Sequence, residues 1–543
     1  MKSGKEGAWW PTELGDVVPE ARERNLAKEI LDSAHALGQR VLVYHRHMED
    51  EAMLNAHPEW ACLTSKGEQV DAGRGIHMCL NTPYADYFLK RMLELVDFGA
   101  DGFYFDEEHM PPAGCWCPAC KDGFAKLTGL EPPPNEDHTS PLWHKFVDYN
   151  NRVVEQAFLK WRAGLHAKRP DVVMLISSNS YPAMIERHLT QRLWRATDSV
   201  KTEFHVAARK GKYQFLDRNP QLFRPEPDVR IGFAFDLSRD AADGRPPHIW
   251  THGVPDEKSL LFATGGLLTH GAIANLDMNE KTIPNPSFKS SFDLGRKVSP
   301  FLAGTRPASW ALIHYSELAR DVYATDEAAW WAREMLPVLG AYEALLHARR
   351  PAGVLTDSQF EEGRFGGAKV LFLPAPEHLT EPMRKQADAF RARGGLVVEN
   401  RPEWRWAEPQ GAAPAREAFL KFLDAAPPCP VHATGGHPRL HLGAFENPER
   451  TRMSVLLANP FTWIFTGAAE KGEEETKARL DQAPAPGKGV IVTLAGRRPL
   501  KVTEILSGNE LEIQSAAGGA WKVEAPEFEF LSFLSVEFEA AKP

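Results

Sequence analysis

The residues best suited to chemistry in this 543-residue chain are two carboxylates, Asp106 and Glu203. Asp106 ends the run Gly102-Phe-Tyr-Phe-Asp106 and is the first ionisable residue after an apolar stretch; Glu203 alternates with Phe204 in Lys201-Thr-Glu-Phe-His205. Two carboxyl groups flanking one bond are what glycosidic hydrolysis requires, one protonating the leaving oxygen and one attacking or activating water. Glu107, Glu108, Asp236 and Asp277 are reserves for these roles. Each has a plainer reading: Asp106 as a strand-end carboxylate capping a loop, Glu203 as a partner of Lys201 or Arg209, Glu107 and Glu108 as solvated loop charges, and Asp236 and Asp277 as groups that orient neighbours.

His45 and His47 stand two apart on one strand and therefore on one face. With Asn179, His205 and Asp277 they would meet substrate hydroxyls. Aromatic rings present apolar faces that suit sugar C–H groups, so Trp9, Trp10 and Trp250 are stacking candidates, although Trp more often packs. Beyond His45 and His47 no His-X-His set with a carboxylate stands at the strand ends, which argues against a metal-dependent hydrolase.

Cys115-Trp-Cys-Pro-Ala-Cys120 gathers three thiols in six residues. Disulfide bonding leaves one of three over, whereas zinc accepts four thiolates in a tetrahedron. Cys79 is the first choice for the fourth ligand and Cys62 the reserve. Four thiolates leave no open position for substrate, so such a zinc would be structural and would pin the loop that follows Asp106.

The elements that must position these groups alternate between strand-like and helix-like patterns over the first 300 residues. Six segments begin apolar and end polar: 41–47, 102–108, 172–179, 200–205, 229–236 and 272–277. Between them lie helical patterns, Leu26 to Leu37 stopping at Gly38, Tyr84 to Val96 stopping at Gly99, and about 146–168. Strands alternating with helices predict a parallel sheet, and polar carboxyl ends predict a TIM-type (β/α) barrel with its site on that face. A closed barrel needs eight strands, and Ala8-Trp-Trp-Pro-Thr12 reads like a loop after a strand. The expectation is that the first two strands are absent and the sequence starts inside the domain. Pro-rich 132–134 and 246–255 read as loops over the active face.

Residues 307–428 repeat the alternation as a flavodoxin-like α/β domain, with no Cys nucleophile or Gly-rich phosphate loop, and so read as structural. Beyond Pro427-Pro-Cys-Pro430, short β-like runs predict a C-terminal β-sandwich over 429–543. The expected domains are thus 1–306, 307–428 and 429–543.

Bulk properties exclude several classes. Apolar residues make up 43% and charged residues 25%, a globular balance. A net charge of −10 without a basic run argues against nucleic-acid binding. No apolar run is long enough to span a membrane. The first ten residues lack a signal-peptide core, which suggests cytoplasm, or secretion if a leader precedes the chain.

The chain resembles bacterial glycoside hydrolases whose barrel precedes a β-galactosidase trimerisation domain, and within them the hypothetical glycosyl hydrolases distantly similar to family-42 β-galactosidases and α-L-fucosidases. The resemblance rests on His57-Pro-Glu-Trp60, Cys79-Leu-Asn-Thr-Pro-Tyr84, Asp101-Gly-Phe-Tyr-Phe-Asp106, Cys115-Trp-Cys-Pro-Ala-Cys120, Leu373-Pro-Ala-Pro-Glu-His-Leu379 and Gly394-Gly-Leu-Val397. It implies a glycoside substrate, a homo-oligomer (dimer or trimer) and a four-cysteine zinc site. Where those galactosidases carry an Asn-Glu pair on the fourth strand, this chain has Phe105-Asp106, which is similar to the fucosidase pattern with an Asp nucleophile. The rival reading is a non-catalytic carbohydrate-binding protein with a degenerate or truncated barrel.

Overall fold

The computed structural model describes residues 2–3, 7–45, 50–71, 75–106, 110–111, 113–177, 190–205, 227–252, 257–276, 287–323, 326–461 and 483–539. Contacts divide the chain into two compact units, Met1–Asn179 with Ala183–Lys201, and Ser180–Pro182 with Thr202–Pro543.

The first unit is built on parallel strands: β1 (Lys2–Ser3), β2 (Leu42–His45), β3 (Gly102–Asp106), β4 (Val173–Ser177) and the start of β5 (Ser199–His205), each paired with the next. A two-residue strand, β1, stands before β2. Strand alternation gives β3 two faces. Phe103 and Phe105 are buried, and Phe105 packs on Phe158 and Trp161 at ring separations of 4.9 and 5.9 Å. Tyr104 and Asp106 take the other face and are half-buried. Gly102 opens β3 because a Cβ there would sit 2.4 Å from the Val173 carbonyl oxygen.

The helices Leu26–Ala36, Tyr84–Asp97 and Pro141–Lys168 cover these strands as their apolar spacing requires. Asn25 and Ser140 cap the first and third by accepting from the backbone N–H of Lys28 and Trp143.

In the second unit the sequence expectation fails at one segment. Residues 229–236, expected as a strand, lie inside the helix Pro227–Ala241. The strand is instead β6 (His248–His252), within the stretch expected as a Pro-rich loop, and it pairs in parallel with β7 (Ile273–Leu276). Pro247 precedes β6, where its missing N–H costs no ladder bond.

Next comes a four-stranded parallel sheet. β9 (Ala311–Tyr315) lies between β10 (Ala352–Thr356) and β11 (Val370–Leu373), and β12 (Leu396–Glu399) forms the edge beside β11.

Two antiparallel sheets follow. One orders β13 (Val431–Thr434), β16 (Ile491–Leu494), β19 (Ala520–Glu524) and β18 (Gln514–Ala516). The other orders β17 (Pro499–Glu504), β20 (Leu531–Phe538), β15 (Arg452–Ala458), β14 (His441–Glu446) and β8 (Arg306–Pro307). Val431, Val492 and Val523 from the first share a buried core with Val455, Val502 and Val536 from the second. β8 joins this sheet from far upstream, pairing Pro307 with Phe445. Among the described residues no helix is long and apolar enough to cross a membrane.

Candidate functional site

Asp106 occupies the last position of β3, and two phenols converge on it. Tyr44 donates to Oδ2 at 2.7 Å and Tyr104 donates to Oδ1 at 3.3 Å. Tyr44 and Tyr104 are register partners on adjacent strands, so their rings stand side by side with centroids 5.2 Å apart. Lys201, only 4% exposed, donates its Nζ to the Tyr104 hydroxyl at 2.6 Å and lies 4.6 Å from the centre of that ring. A carboxylate, two phenols and a buried ammonium thus form one connected group at the carboxyl ends of parallel strands. That is where parallel α/β sheets bind ligands. Tyr44, Tyr104 and Lys201 carry no sequence signal as site residues. Only their even spacing on the strands, Tyr104 two before Asp106 and Lys201 two before Glu203, hints that they share a face.

A second group lies in the same unit, on loops and the first turn of the helix Pro118–Thr128. The sulfurs of Cys79, Cys115, Cys117 and Cys120 all lie within 4.8 Å of one another, and all four residues are buried. Cys79 Sγ is 3.5 Å from Cys120 Sγ and 3.6 Å from Cys117 Sγ. Those separations are too long for disulfides, at about 2.05 Å. They are close to the edge of a zinc–thiolate tetrahedron, about 3.8 Å for Zn–S bonds of about 2.3 Å. The donor set fits a structural thiophilic metal.

Local structure explains the convergence. Cys117 precedes the helix Pro118–Thr128, and its carbonyl accepts from the N–H of Cys120 and Lys121, which folds Cys120 back toward it. Asn150 accepts from the Cys115 N–H at 3.2 Å, and Asn81 donates to the Ala119 carbonyl at 2.9 Å and to Tyr149 at 3.0 Å. Gly123 admits that phenol, since a Cβ there would lie 1.9 Å from the Tyr149 oxygen. Cys62 is a fifth buried thiol. Burial first, then the Cys115 and Cys79 thiols, push it well above the ordinary thiol range.

The remaining expected site residues divide into two sets. His45, Glu203 and His205 lie on β2 and β5, but their side chains fall outside the described residues, as do His47, Glu107, Glu108, Asn179 and Asp277 altogether. Trp250 sits half-buried on β6, and Trp9 is half-buried in its loop. Trp10 is corrected as a stacking platform. It is 0% exposed, donates to Glu94 at 2.7 Å and lies beneath Arg91. Lys201 is engaged with Tyr104.

Asp236 is also corrected as a reserve catalytic acid, because it belongs to a sealed helix. Arg239 donates to its Oδ1 at 2.7 Å, His270 Nδ1 lies 3.0 Å from the same oxygen, and Tyr342 donates to Oδ2 at 2.6 Å. His270 Nε2 faces His441 Nδ1 at 3.0 Å, and His441 Nε2 reaches Asp228 at 3.3 Å. Burial pushes the Asp236 carboxyl up, but Arg239, His270 and Tyr342 outweigh it and hold it below the usual range. The cavity beside Asp236, Arg239, His270 and Tyr342 has about 30 Å³, room for a water or two.

Comparison with known proteins supports the resemblance seen in the sequence. Residues 3–107 match the family model described as Hypothetical glycosyl hydrolase 6. No match was found among curated proteins. Among solved structures the chain is similar to α-L-fucosidase isoenzyme 2 from Paenibacillus thiaminolyticus, with TM-score 0.67, 15% identity, and coverage of 99% of this chain and 94% of that one. It is also similar to Gan42B, a GH42 β-galactosidase from G. stearothermophilus, with TM-score 0.59, 13% identity, and coverage of 94% and 90%. A rhamnosidase from Novosphingobium sp. PP1Y has TM-score 0.55 and 11% identity, covering 86% of this chain and 48% of its own. The fold is therefore a mixed α/β fold shared with these solved structures.

Proposed function

We propose that the protein is a glycoside hydrolase, galactosidase- or fucosidase-like in substrate, working with Asp106 as nucleophile or base and Glu203 as acid/base. The observation that carries this is the state of Asp106: a half-buried carboxylate at a strand's carboxyl end, with each oxygen receiving a phenolic proton. A group so held is oriented, as a nucleophile or a general base must be. Residues 1–306 would form a TIM-type barrel, with Glu203 of β5 as the second carboxyl group. Residues 307–428 would be the trimerisation-type domain of a homo-oligomer, and 429–543 the C-terminal sandwich. His45, His47, Asn179, His205, Trp250 and Asp277 would line the sugar site. The carboxyl separation sets the stereochemistry, about 5–5.5 Å for retention and about 6.5–9.5 Å for inversion.

Cys79, Cys115, Cys117 and Cys120 would hold one structural zinc, supported by the spacing of their sulfurs. When bound, it supplies a cross-link and no open coordination position. The chain's own part is to anchor the loop after Asp106 through these thiols.

The test is a panel of aryl α- and β-glycosides with the parent chain, Asp106→Asn and Glu203→Gln. Hydrolysis by the parent that both substitutions abolish is the expected result. Binding of sugars without turnover in the parent would replace this reading with that of a carbohydrate-binding protein.

A further inference from the structure

We propose that Lys201 is a positioning residue that acts through Tyr104 to keep Asp106 the proton acceptor of the site, so that the acid must come from another side chain. The inference rests on the glycosidase reading and deepens it.

The argument is one of proton direction. An ammonium has three protons and no lone pair to offer, so it can only donate. At 2.6 Å from Lys201 Nζ, the Tyr104 oxygen is therefore an acceptor. A phenol has one proton, and with its oxygen turned to Lys201 that proton is directed at Asp106 Oδ1, 3.3 Å away. Tyr44 brings its own proton to Oδ2 at 2.7 Å. Both Asp106 oxygens thus accept, which suits the ionised form; a protonated carboxyl would have to turn its own proton against one of these donors.

The strand register makes the arrangement. Asp106 pairs with Ser177, and Ser177 pairs with Lys201, so Lys201 stands level with Asp106 two strands away. Backbones two strands apart are about 9.5 Å from each other, and the Tyr104 side chain spans the interval. Burying an ammonium is unfavourable unless it is paired and hydrogen-bonded. The Tyr104 hydroxyl is one of its hydrogen-bond partners, and that phenol in turn reaches Asp106 at the end of β3. Loss of that charge would free the Tyr104 proton to turn away and leave Asp106 easier to protonate.

The test uses the full-length protein with Lys201→Met, Lys201→Arg and Tyr104→Phe, each checked for folding by near-UV circular dichroism. On an aryl glycoside cleaved by the parent, Lys201→Met is expected to lower kcat about 10- to 100-fold. KM should stay within about threefold, and the acid limb of the pH profile should move up by about one unit or more. Tyr104→Phe should move the same limb, the double variant no further, and Lys201→Arg should restore part of it. A fall in kcat with an unmoved limb would mean a merely structural role and would overturn the proposal.

A second readout is independent of turnover. The Asp106 carboxylate band, isolated as the infrared difference between parent and Asp106→Asn, should disappear at higher pH in Lys201→Met and in Tyr104→Phe. If no glycoside is cleaved but this titration still depends on Lys201, the enzyme reading fails and the proton arrangement stands. If the titration ignores both substitutions, the arrangement itself is wrong. Should Lys201→Met not fold, Tyr104→Phe carries the same decision.

Discussion

Asp106 and Asp236 are two carboxylates with the same kinds of neighbours and opposite prospects. Each accepts from tyrosine, Tyr44 and Tyr104 for Asp106 and Tyr342 for Asp236. Each belongs to a group that contains a buried cation, Lys201 in one and Arg239 in the other. Asp106, however, ends a strand and keeps part of its surface. Asp236 lies inside a helix, and Arg239, His270 and Tyr342 consume its lone pairs. Perturbed electrostatics alone therefore do not mark a catalytic group. A carboxylate does chemistry only where a substrate atom can replace water beside it, and the second network serves to knit helix Pro227–Ala241 to the helix that carries Tyr342, Leu336–His347, and to β14.

The sharpest break of this comparison is a crossed pair of substitutions. Asp106→Asn should cost about a thousandfold or more in turnover with little change in melting temperature. Chelation of the bound metal, or Cys79→Ser, should come next. The expected outcome is one zinc per chain by elemental analysis, lost with either treatment, and a lowered melting transition with turnover falling as the loop after Asp106 is released. Asp236→Asn should then destabilise the fold by about 3–5 kcal/mol, because it leaves Arg239 and His270 buried against an amide. Denaturant titration should show that loss, while kcat/KM of the folded fraction stays near that of the parent. Equal loss of turnover from both Asp substitutions would erase the distinction.

The smallest expected effect is on acid stability. In the second unit burial holds His347 down to about 4 and also lowers His441, His437, His432 and His248. Unfolding releases these rings to an ordinary value near 6.5. Between about 6.5 and about 4 the unfolded chain then binds more protons, and stability falls as pH falls. In the first unit, burial pushes Asp101 up, but Arg40, the Val41 N–H and His35 outweigh it and hold it to about 2. Its contribution is present above the ordinary carboxylate value and is lost only as pH falls below that toward about 2. Hydrogen exchange at pH 5 should therefore show the second unit opening first, and a first unit that loosens at pH 5 would contradict the assignment.

Much of the frame was legible from residue pattern. The strands at 42–45, 102–106, 173–177 and 199–205 were anticipated because each runs apolar and turns polar at its carboxyl end. The cysteine cluster was legible because three thiols in six residues leave few other arrangements, and Cys79 proved to join them. The error at 229–236 has a physical cause. Val229, Ile231, Phe233 and Phe235 alternate like a strand, but Val229, Phe233 and Leu237 also recur at helical spacing, and the helix is buried nearly all round. With no polar face, periodicity alone does not separate the two forms.

By itself, then, the sequence determined the alternation of strands and helices, the face each strand turns to its covering helices, and the set of sulfurs able to hold a metal. These depend on local pattern and on residue type. Only the tertiary structure decided that Tyr44, Tyr104 and Lys201 gather on Asp106 while Asp236 is sealed away. Such groupings come from strand register and burial, which bring together residues nearly a hundred positions apart, and no local window of the chain contains that information.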